Sequence, residues 1–533
     1  MTTRVRLAQR ERAPAFPRRW AALLAVGGGV IGVLAFPEFG WWPAAFVSVA
    51  MLSAAVAGRS ARTGAWLGYL YGLAFLLPLV HWTGIYVGPA PWLILCAAFA
   101  AFFALLGAVL PVLGRLPGGP LWAGAAWVLQ EFLRDRIPFG GFPWGRLAFS
   151  QAESPLRWFA ALGGAPLVTF VVAVAGAGLA AAALAARPLR VRAVAGGLAA
   201  LVAVPLGGLV LGPLLSPDTS GDRTERIAVI QGGLPNRGLE FQDRARQVLD
   251  NHVRQTMKLA ARIDAGEVPR PDLVLWPENS SDIDPYRDAA AYAEIDRAVK
   301  AVGAPVLVGA ILQGPGENRR RNAGILWSPT TGPGARYVKR HPVPFAEYVP
   351  LRAAAEFVSS DAKNVTDMVA GGGDGLLRGG PVPLGDVICF EVAYDDLVRS
   401  SVAAGAQLLL VQTNNATFGY TAETYQQLAM TQLRAVEHGR TTVQVSTTGE
   451  SAIVAPDGTV ERRSGELFTA ATLLDTVPVR SQLTLATRVG AWPEYVLTLL
   501  AAAGVAVVAA GALSGRRASR REVSERDDDM VTT

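Results

Sequence analysis

The 533-residue chain is too long for one ordinary domain and too apolar for a fully soluble protein, since 51% of its residues are hydrophobic and 17% are charged. Its net charge of +6 does not indicate a nucleic-acid partner, because the arginines lie between apolar runs and at the termini. Two distant cysteines, Cys96 and Cys389, argue against a disulfide framework, and the four histidines lack metal-ligand spacing. The composition predicts a membrane protein without a metal or cofactor.

Seven apolar runs follow a basic N-terminal segment, residues 1–19, and each is about long enough to cross a bilayer as a helix. A second apolar run directly after the first favours an uncleaved span over a signal peptide. The sequence therefore predicts a membrane domain of seven helices over residues 20–214, at 20–36, 42–57, 64–80, 91–114, 119–133, 157–186 and 193–214.

An eighth apolar run, residues 495–513, precedes an arginine cluster and a polar tail, residues 514–533, that we expect to be disordered. Arginines concentrate in alternate loops, so one orientation places both termini in the cytoplasm and residues 215–490 on the outer face. Outer loops rich in Trp, Phe and Pro, residues 36–43 and 140–144, are expected at the membrane interface, either as an ordinary aromatic belt or in contact with substrate.

Residues 221–480 are more charged, and short β-like runs alternate there with helix-like runs. This rhythm predicts an α/β layered domain, in which functional sites lie at the carboxyl ends of strands. The predicted strands are 226–231, 272–276, 305–310, 387–389, 407–412 and 441–446, and the predicted helices are 241–263, 287–302, 392–404 and 423–438.

Three strand ends in this domain carry residues that can act on a carbonyl group. Cys389 follows an apolar run and precedes a helix, Glu278 ends a second run, and Lys339 follows a third. A cysteine nucleophile needs a base for its proton and a donor for the developing oxyanion, and a glutamate and a lysine supply these functions. Taken singly, the three residues are also explained as a small core residue, a helix cap and a solvated charge.

Taken together, these residues resemble the Glu-Lys-Cys triad of the carbon–nitrogen hydrolase, or nitrilase, superfamily. Trp276-Pro277-Glu278, Lys339 and Cys389-Phe390-Glu391 carry the resemblance, with 61 and 50 positions between successive triad members. The seven spans, the outer domain and the final span together resemble the apolipoprotein N-acyltransferase family. Further matches to that family are Phe36-Pro37, Gly141–Trp144, Arg321-Asn322, Val343–Pro350, Asn414–Gly419 and Arg434–Glu437.

The resemblance implies an extracytoplasmic nitrilase-like αββα sandwich with Cys389 as nucleophile, Glu278 as general base and Lys339 as oxyanion stabiliser. It also gives Glu347 and Glu391 supporting roles. Three positions depart from the family pattern, which commonly has Tyr, Trp and Asp where this chain has Phe390, Thr417 and Ala491. Residues 343–358 and 418–425 mix aromatic and small residues beside the triad segments, and we expect them either to cover the site or to pack as ordinary domain surface.

The implied reaction moves a fatty acyl chain from a membrane phospholipid, through a thioester on Cys389, to the α-amino group of the N-terminal diacylglyceryl-cysteine of a lipoprotein. The implied enzyme is a monomer in the bacterial inner membrane. One alternative is a membrane-tethered amidase acting on a small amide, and another is a scaffold or transporter whose outer domain has lost activity. Eight spans favour the acyltransferase because a tether needs only one, and few ionisable residues lie in the spans to form a transport path.

Overall fold

The computed structural model describes residues 14–186, 191–234, 241–316, 318–358, 363 and 365–531. Each of the seven N-terminal apolar runs forms a helix, because a run of this composition satisfies its backbone hydrogen bonds internally and needs no polar face. The helices of this part are α1 (Arg18–Leu34), α2 (Ala44–Val56), α3 (Ala61–Leu79), α4 (Gly84–Val87), α5 (Pro89–Leu113), α6 (Gly119–Arg134), α7 (Ala160–Ala185) and α8 (Val191–Leu215).

Small residues allow these helices to approach closely. A Cβ atom added at Gly64 or Gly68 of α3 would collide with the backbone carbonyl of Gly107 or Phe103 of α5. Such small-residue contacts are how apolar helices pack without a polar interface. Among the described residues, the helical segments long and apolar enough to cross a membrane are Pro89–Leu113, Pro155–Ala185, Val194–Leu215 and Trp492–Ser514, with Ala44–Val56 as a shorter apolar helix.

The segment after α8 folds into the α/β domain that its alternating pattern predicts. Its strands are β1 (Arg223–Gln231), β2 (Leu273–Leu275), β3 (Val306–Gln313), β4 (Arg319–Ser328), β5 (Gly332–Val338), β6 (Asp367–Met368), β7 (Leu376–Leu377), β8 (Leu384–Ile388), β9 (Leu408–Thr413), β10 (Thr442–Ser446), β11 (Ala452–Val454), β12 (Val460–Arg463) and β13 (Ala471–Val479). Its helices are α9 (Phe241–Asp264), α10 (Ala289–Val302), α11 (Arg352–Val358), α12 (Asp395–Ala403), α13 (Glu423–His438) and α14 (Leu485–Val489).

The strands form two sheets that pack face to face. Within the described residues, one sheet has the order β13-β1-β2-β3-β4-β5, with β6 beside β4, and the other has the order β12-β11-β10-β9-β8-β7. Side chains of both sheets meet in one buried layer, which includes Val229, Leu307, Leu384 and Leu410. Helices α9 and α10 cover the first sheet, while α12 and α13 cover the second. The layers are therefore α, β, β and α, as the resemblance implies.

Strand direction brings the candidate residues to one edge of this sandwich. Strands β1, β2 and β3 are parallel, and β5 runs in the same direction because two antiparallel steps through β4 separate it from β3. In the second sheet β8, β9 and β10 are parallel. The chain segments that follow β2, β5, β8 and β9 carry Glu278, Lys339, Cys389 and Asn414.

Two segments differ from the sequence prediction. The helix predicted at 392–404 starts as a 3₁₀ turn at Cys389–Ala393 and continues as α12, because Tyr394 between them has an extended backbone. The last helix, α15 (Trp492–Val531), continues through most of the tail at 514–533 for which the sequence predicts disorder. Residues 516–531 contain neither Gly nor Pro, so nothing in that segment interrupts the helical backbone.

Candidate active site

The three candidate residues meet at the edge shared by the two sheets. The Lys339 ammonium donates to Glu278 Oε1 at 3.1 Å, and only 4% of Glu278 and 1% of Lys339 is exposed. The charges of Glu278 and Lys339 both act on the Cys389 sulfur. The backbone N–H of Asn414 donates to Glu278 Oε2 at 2.9 Å, which fixes the carboxylate from the second sheet. A buried carboxylate, a buried cation and a half-buried thiol are thus held together at this edge.

Lys339 lies between two carboxylates. Its ammonium donates to Glu347 Oε1 at 2.9 Å as well as to Glu278, and Asn322 Nδ2 donates to the same two carboxylates at 2.6 Å (Glu278) and 3.3 Å (Glu347). Burial opposes the charge on Lys339, but the two carboxylates outweigh it and hold the lysine pKa well above its usual value. Lys339 is therefore a fixed positive charge, held by both Glu278 and Glu347.

Cys389 stands on a sharp turn between β8 and the 3₁₀ turn. Its φ of 55° lies in the left-handed region, which costs a non-glycine residue about 1–3 kcal/mol. The sulfur lies 3.5 Å from Thr413 Oγ1 and accepts a weak hydrogen bond from Gln427 Nε2 at 3.8 Å. Burial and the negative charge of Glu278 raise the pKa of the Cys389 thiol, while Lys339 lowers it in part. The resting group is therefore the thiol rather than the thiolate.

Glu391 holds this turn in place. Its carboxylate accepts from the backbone N–H groups of Ile388 at 2.9 Å, Arg340 at 2.7 Å and His341 at 3.1 Å, and from the Tyr337 hydroxyl at 2.9 Å. One buried side chain therefore joins the residue before Cys389 to the segment that follows Lys339. The several hydrogen bonds to this carboxylate hold the turn in position and offset the strain at Cys389.

Aromatic side chains connect the turn to the helix bundle. The Phe390 ring stacks on Trp144 at 6.0 Å with an interplanar angle of 8°, and on Phe142 at 5.9 Å. Trp144 Nε1 donates to Gln426 Oε1 at 2.6 Å, and Trp82 Nε1 donates to the same atom at 3.3 Å. Of the two predicted interfacial loops, the one at 140–144 thus contacts the candidate site directly, while Trp41 of the other is 63% exposed.

A second charged cluster joins the α/β domain to the loop between α6 and α7. Asp395 Oδ1 accepts from Arg146 Nη1 at 2.8 Å and from Arg434 Nη2 at 2.7 Å, and Arg434 also pairs with Glu437 at 2.5 Å. The Arg434 guanidinium donates to the carbonyl oxygens of Val392 at 2.9 Å and Ala393 at 3.0 Å. We call Arg146, Asp395, Arg434 and Glu437 the seam cluster, since it connects the two parts of the chain beside the Cys389 turn.

The sequence predicts the three candidate residues that meet at this edge but does not predict the amides around them. Gln426 and Gln427 are buried in α13, and no motif distinguishes them from surface glutamines. The expected cover segments carry large exposed side chains beside the triad segments. In 343–358 these are Phe345, Leu351 and Phe357, which are 50%, 71% and 93% exposed, and in 418–425 Tyr420 is 71% exposed.

Known proteins match both parts of the chain. Residues 28–178 match the apolipoprotein N-acyltransferase N-terminal domain, and residues 226–479 match the carbon–nitrogen hydrolase domain. The chain is 40% identical to the apolipoprotein N-acyltransferase of Mycolicibacterium smegmatis, over 95% of this chain and 88% of that protein. It is 30% identical to that of Geobacter metallireducens, over 95% and 97%. A solved amidase from Nesterenkonia sp. is 21% identical over 51% of this chain and 95% of its own, with a TM-score of 0.34.

Together, the fold, the site and the two domain matches define a membrane protein with a carbon–nitrogen hydrolase domain. Within that class, the chain belongs to the apolipoprotein N-acyltransferase family, as the matches over nearly its whole length show. The resemblance predicted from the sequence is confirmed.

Proposed function

We propose that the protein transfers a fatty acyl chain from a membrane phospholipid to the α-amino group of the N-terminal diacylglyceryl-cysteine of a lipoprotein. One observation carries the proposal. Cys389, Glu278 and Lys339 form a single site, and the turn that bears Cys389 packs against the loops of an apolar helix bundle. A small soluble amide needs no such bundle, whereas a donor that lies in a bilayer does. The name shared by the relatives supports the same reaction.

In the first half-reaction, Glu278 takes the Cys389 proton as the sulfur attacks the carbonyl carbon of a phospholipid ester. The oxyanion that forms lies beside the Lys339 ammonium, whose two carboxylate contacts hold it in place before the substrate arrives. The ester C–O bond then breaks, and Glu278 returns the proton to the departing lysophospholipid oxygen. A thioester remains on Cys389.

In the second half-reaction, the α-amino group of the lipoprotein attacks the thioester carbonyl carbon. Glu278 accepts a proton from the attacking nitrogen, the C–S bond breaks, and Glu278 then protonates the leaving sulfur. The products are the amide and the free thiol, so the kinetics are ping-pong. The apolar rings of Phe390, Phe142 and Trp144 beside the turn disfavour water, which competes for the thioester.

We further propose a membrane domain at 20–214, a catalytic domain at 221–480, and eight spans formed by α1–α3, α5–α8 and α15. Both termini are then cytoplasmic, with the catalytic domain on the outer face. The arginines of alternate loops support this orientation. The contacts of Gln426 with Pro37, Leu79, Trp82 and Trp144 support it too, since these residues belong to loops or helix ends expected on the outer side.

Single cysteines test the orientation in a variant that lacks Cys96 and Cys389. Thr219→Cys, after α8, is expected to react with a membrane-impermeant maleimide in intact cells. Ser60→Cys, in a loop expected inside, is expected to react only after the membrane is opened. Labelling of both positions in intact cells, or the reverse pattern, would contradict the proposed orientation.

A product assay tests the reaction itself. Purified protein is incubated with phospholipid and a synthetic diacylated lipopeptide, and mass spectrometry follows the lipopeptide. We expect a mass increase of one acyl chain on its α-amino group together with release of lysophospholipid. Free fatty acid without acylated lipopeptide, or hydrolysis of a small amide in its place, would make the protein a hydrolase and overturn the proposal.

A further inference from the structure

A second buried carboxyl group lies near the Cys389 sulfur and has no part in the mechanism above. Glu423 opens α13, and only 2% of it is exposed. Its Oε2 accepts from Asn415 Nδ2 at 2.6 Å. Among the described residues, no Lys, Arg or His forms an ion pair with it, unlike Glu278, Glu347 and Glu437. A buried carboxyl group without a cation is costly to ionise.

Hydrogen bonds connect this carboxyl group to the sulfur. Asn415 Nδ2 donates to Gln427 Oε1 at 3.0 Å, and Gln427 Nε2 points to Cys389 Sγ at 3.8 Å. The Thr413 hydroxyl lies 2.8 Å from the same Gln427 oxygen. These contacts to its oxygen turn the Gln427 amide so that its N–H group faces the sulfur.

The orientation of Asn415 is fixed in the same way. The Ser446 hydroxyl donates to Asn415 Oδ1 at 2.6 Å, so the Asn415 NH₂ group must face Glu423 and Gln427. The donors and acceptors between Glu423 and Cys389 are therefore fixed: the Asn415 NH₂ group donates to both Glu423 and Gln427, and the Gln427 NH₂ group donates to the sulfur.

We propose that Glu423 is a positioning residue whose charge controls the reactivity of the Cys389 sulfur across the amides of Asn415 and Gln427. The inference rests on the proposed function, because it names a further group that adjusts the nucleophile of that reaction. When Glu423 is neutral, the sulfur ionises against the charge of Glu278 and is stabilised by Lys339 and the Gln427 N–H. When Glu423 is ionised, another negative charge opposes the thiolate.

The electrostatics agree with this geometry. Burial raises the pKa of Glu423 to about 8, the Asn415 hydrogen bond opposes that rise, and the charge of Glu278 adds to it. The titratable groups that face Glu423 are Glu278, at the end of β2, and Cys389, on the turn after β8. Glu423 is therefore mostly neutral at pH 7 and mostly charged by pH 9, so it adds a negative charge near the sulfur in the upper part of that range.

Alkylation of the thiol tests the inference without any acyl donor or acceptor. Full-length protein carrying Cys96→Ala, so that Cys389 is its only cysteine, is treated with iodoacetamide from pH 6 to 10. We expect Glu423→Gln to react at the parent rate near pH 6.5 and about threefold faster at pH 9, since Gln keeps the acceptor for Asn415 and cannot become charged. Curves that coincide, or that differ by one factor at every pH, would overturn the proposal.

Two further variants separate this effect from general loosening of the site. Glu450→Gln is the matched control, because Glu450 is also a buried glutamate but bonds to Arg463 at 2.9 Å and is not part of this hydrogen-bond path. It should alkylate like the parent at every pH. Gln427→Leu removes the donor at the sulfur and should slow alkylation about threefold at pH 9. An unchanged rate in Gln427→Leu would contradict the role of the amide.

The outcome is independent of the proposed reaction. Protein that alkylates as expected but transfers no acyl chain would refute the acyltransferase and leave the control of the sulfur intact. Protein that transfers acyl chains normally while Glu423→Gln follows the parent profile would refute only the role of Glu423.

Discussion

Two clusters of buried charge contact the chain around Cys389, and each has at its centre a charged side chain held between two partners of opposite sign. In the candidate site, one lysine lies between two carboxylates, Glu278 and Glu347. In the seam cluster, one carboxylate, Asp395, lies between two arginines, Arg146 and Arg434. In the proposed mechanism, the excess carboxylate of the first cluster provides the base that takes a proton. The arginines of the second use their forked donors to hold backbone and carboxylate in place. Under this proposal, similar buried ion pairs serve the reaction in one cluster and the assembly of the chain in the other.

Removing the sulfur leaves both clusters intact and should have the largest effect on activity. Cys389→Ala is expected to reduce acyl transfer at least about a thousandfold, because no thioester can form. The measurement is the acylated lipopeptide formed per unit time, with thermal unfolding as the check on folding. The other cysteine, Cys96, is buried in α5, and the control variant Cys96→Ala should keep the rate of acyl transfer within a fewfold of the parent rate.

Breaking the first cluster should damage chemistry more than assembly. Lys339→Met removes the cation beside the oxyanion, and we expect a loss of roughly a hundred- to a thousandfold in kcat. It also leaves Glu278 and Glu347 without their cation, so thermal stability should fall as well. Lys339→Arg is the matched control, since it restores charge but brings a wide planar group. It should recover stability and leave activity low. Full activity in Lys339→Arg would contradict the geometric requirement at this position.

Breaking the seam cluster should reduce stability more than activity. Asp395→Asn leaves two buried arginines without their shared carboxylate, and we expect unfolding to become easier by roughly 3 kcal/mol. The folded fraction should keep its activity within about tenfold, because the variant changes no group of the site. Asp396→Asn, at the exposed neighbouring position, is the control and should change neither property. A loss of kcat without a loss of stability would show that Asp395 takes part in the reaction.

The pH dependence of the same variant has a defined sign. Burial opposes ionisation of Asp395, but Arg146 and Arg434 outweigh it and hold its pKa well below the usual value. A group with a lowered pKa stabilises the fold above its unfolded pKa, about 3.9 for Asp, and loses that effect as the pH falls through its folded pKa. The difference in Tm between the parent and Asp395→Asn should therefore be constant from pH 8 to 5 and shrink only below about pH 4.

The smallest effect is expected where neither cluster is touched. Trp144→Phe keeps the stack on Phe390 and loses the hydrogen bond to Gln426, which is worth about 1 kcal/mol. We expect a small rise in KM for the phospholipid and an unchanged kcat. Trp41→Phe, in an exposed position, should behave as the parent. A large loss of kcat in Trp144→Phe would contradict this expectation and would show that the hydrogen bond to Gln426 contributes to the reaction itself.

The sequence predicts the parts of the molecule that have a local pattern. Apolar runs predict the helices of the bundle, and β-like runs that end in Glu278 or Cys389 predict strand ends at one edge. The contact between Arg146 and Asp395 in the seam cluster has no such pattern, because these residues lie 249 positions apart and their pairing depends on the packing of the whole chain.

Helix α13 shows a second limit of sequence reasoning. Its polar residues suggest one exposed face, yet Gln426, Gln427 and Arg434 are all buried, since the second sheet covers one side and the helix bundle covers the other. Amides such as Gln427 and Asn322 find partners that come from distant strands. The spacing of residues along the chain therefore does not predict their roles, which depend on the three-dimensional packing.

The most direct test of the mechanism is the mass of the enzyme itself. Protein incubated with a phospholipid of one defined acyl chain and no acceptor should gain the mass of that acyl group on the peptide that contains Cys389. The adduct should be labile to hydroxylamine and should disappear, with equal acylation of the lipopeptide, when the diacylated acceptor is added. An acyl group on another residue, or an adduct that persists when the acceptor is added and product forms, would contradict a thioester on Cys389 as the intermediate.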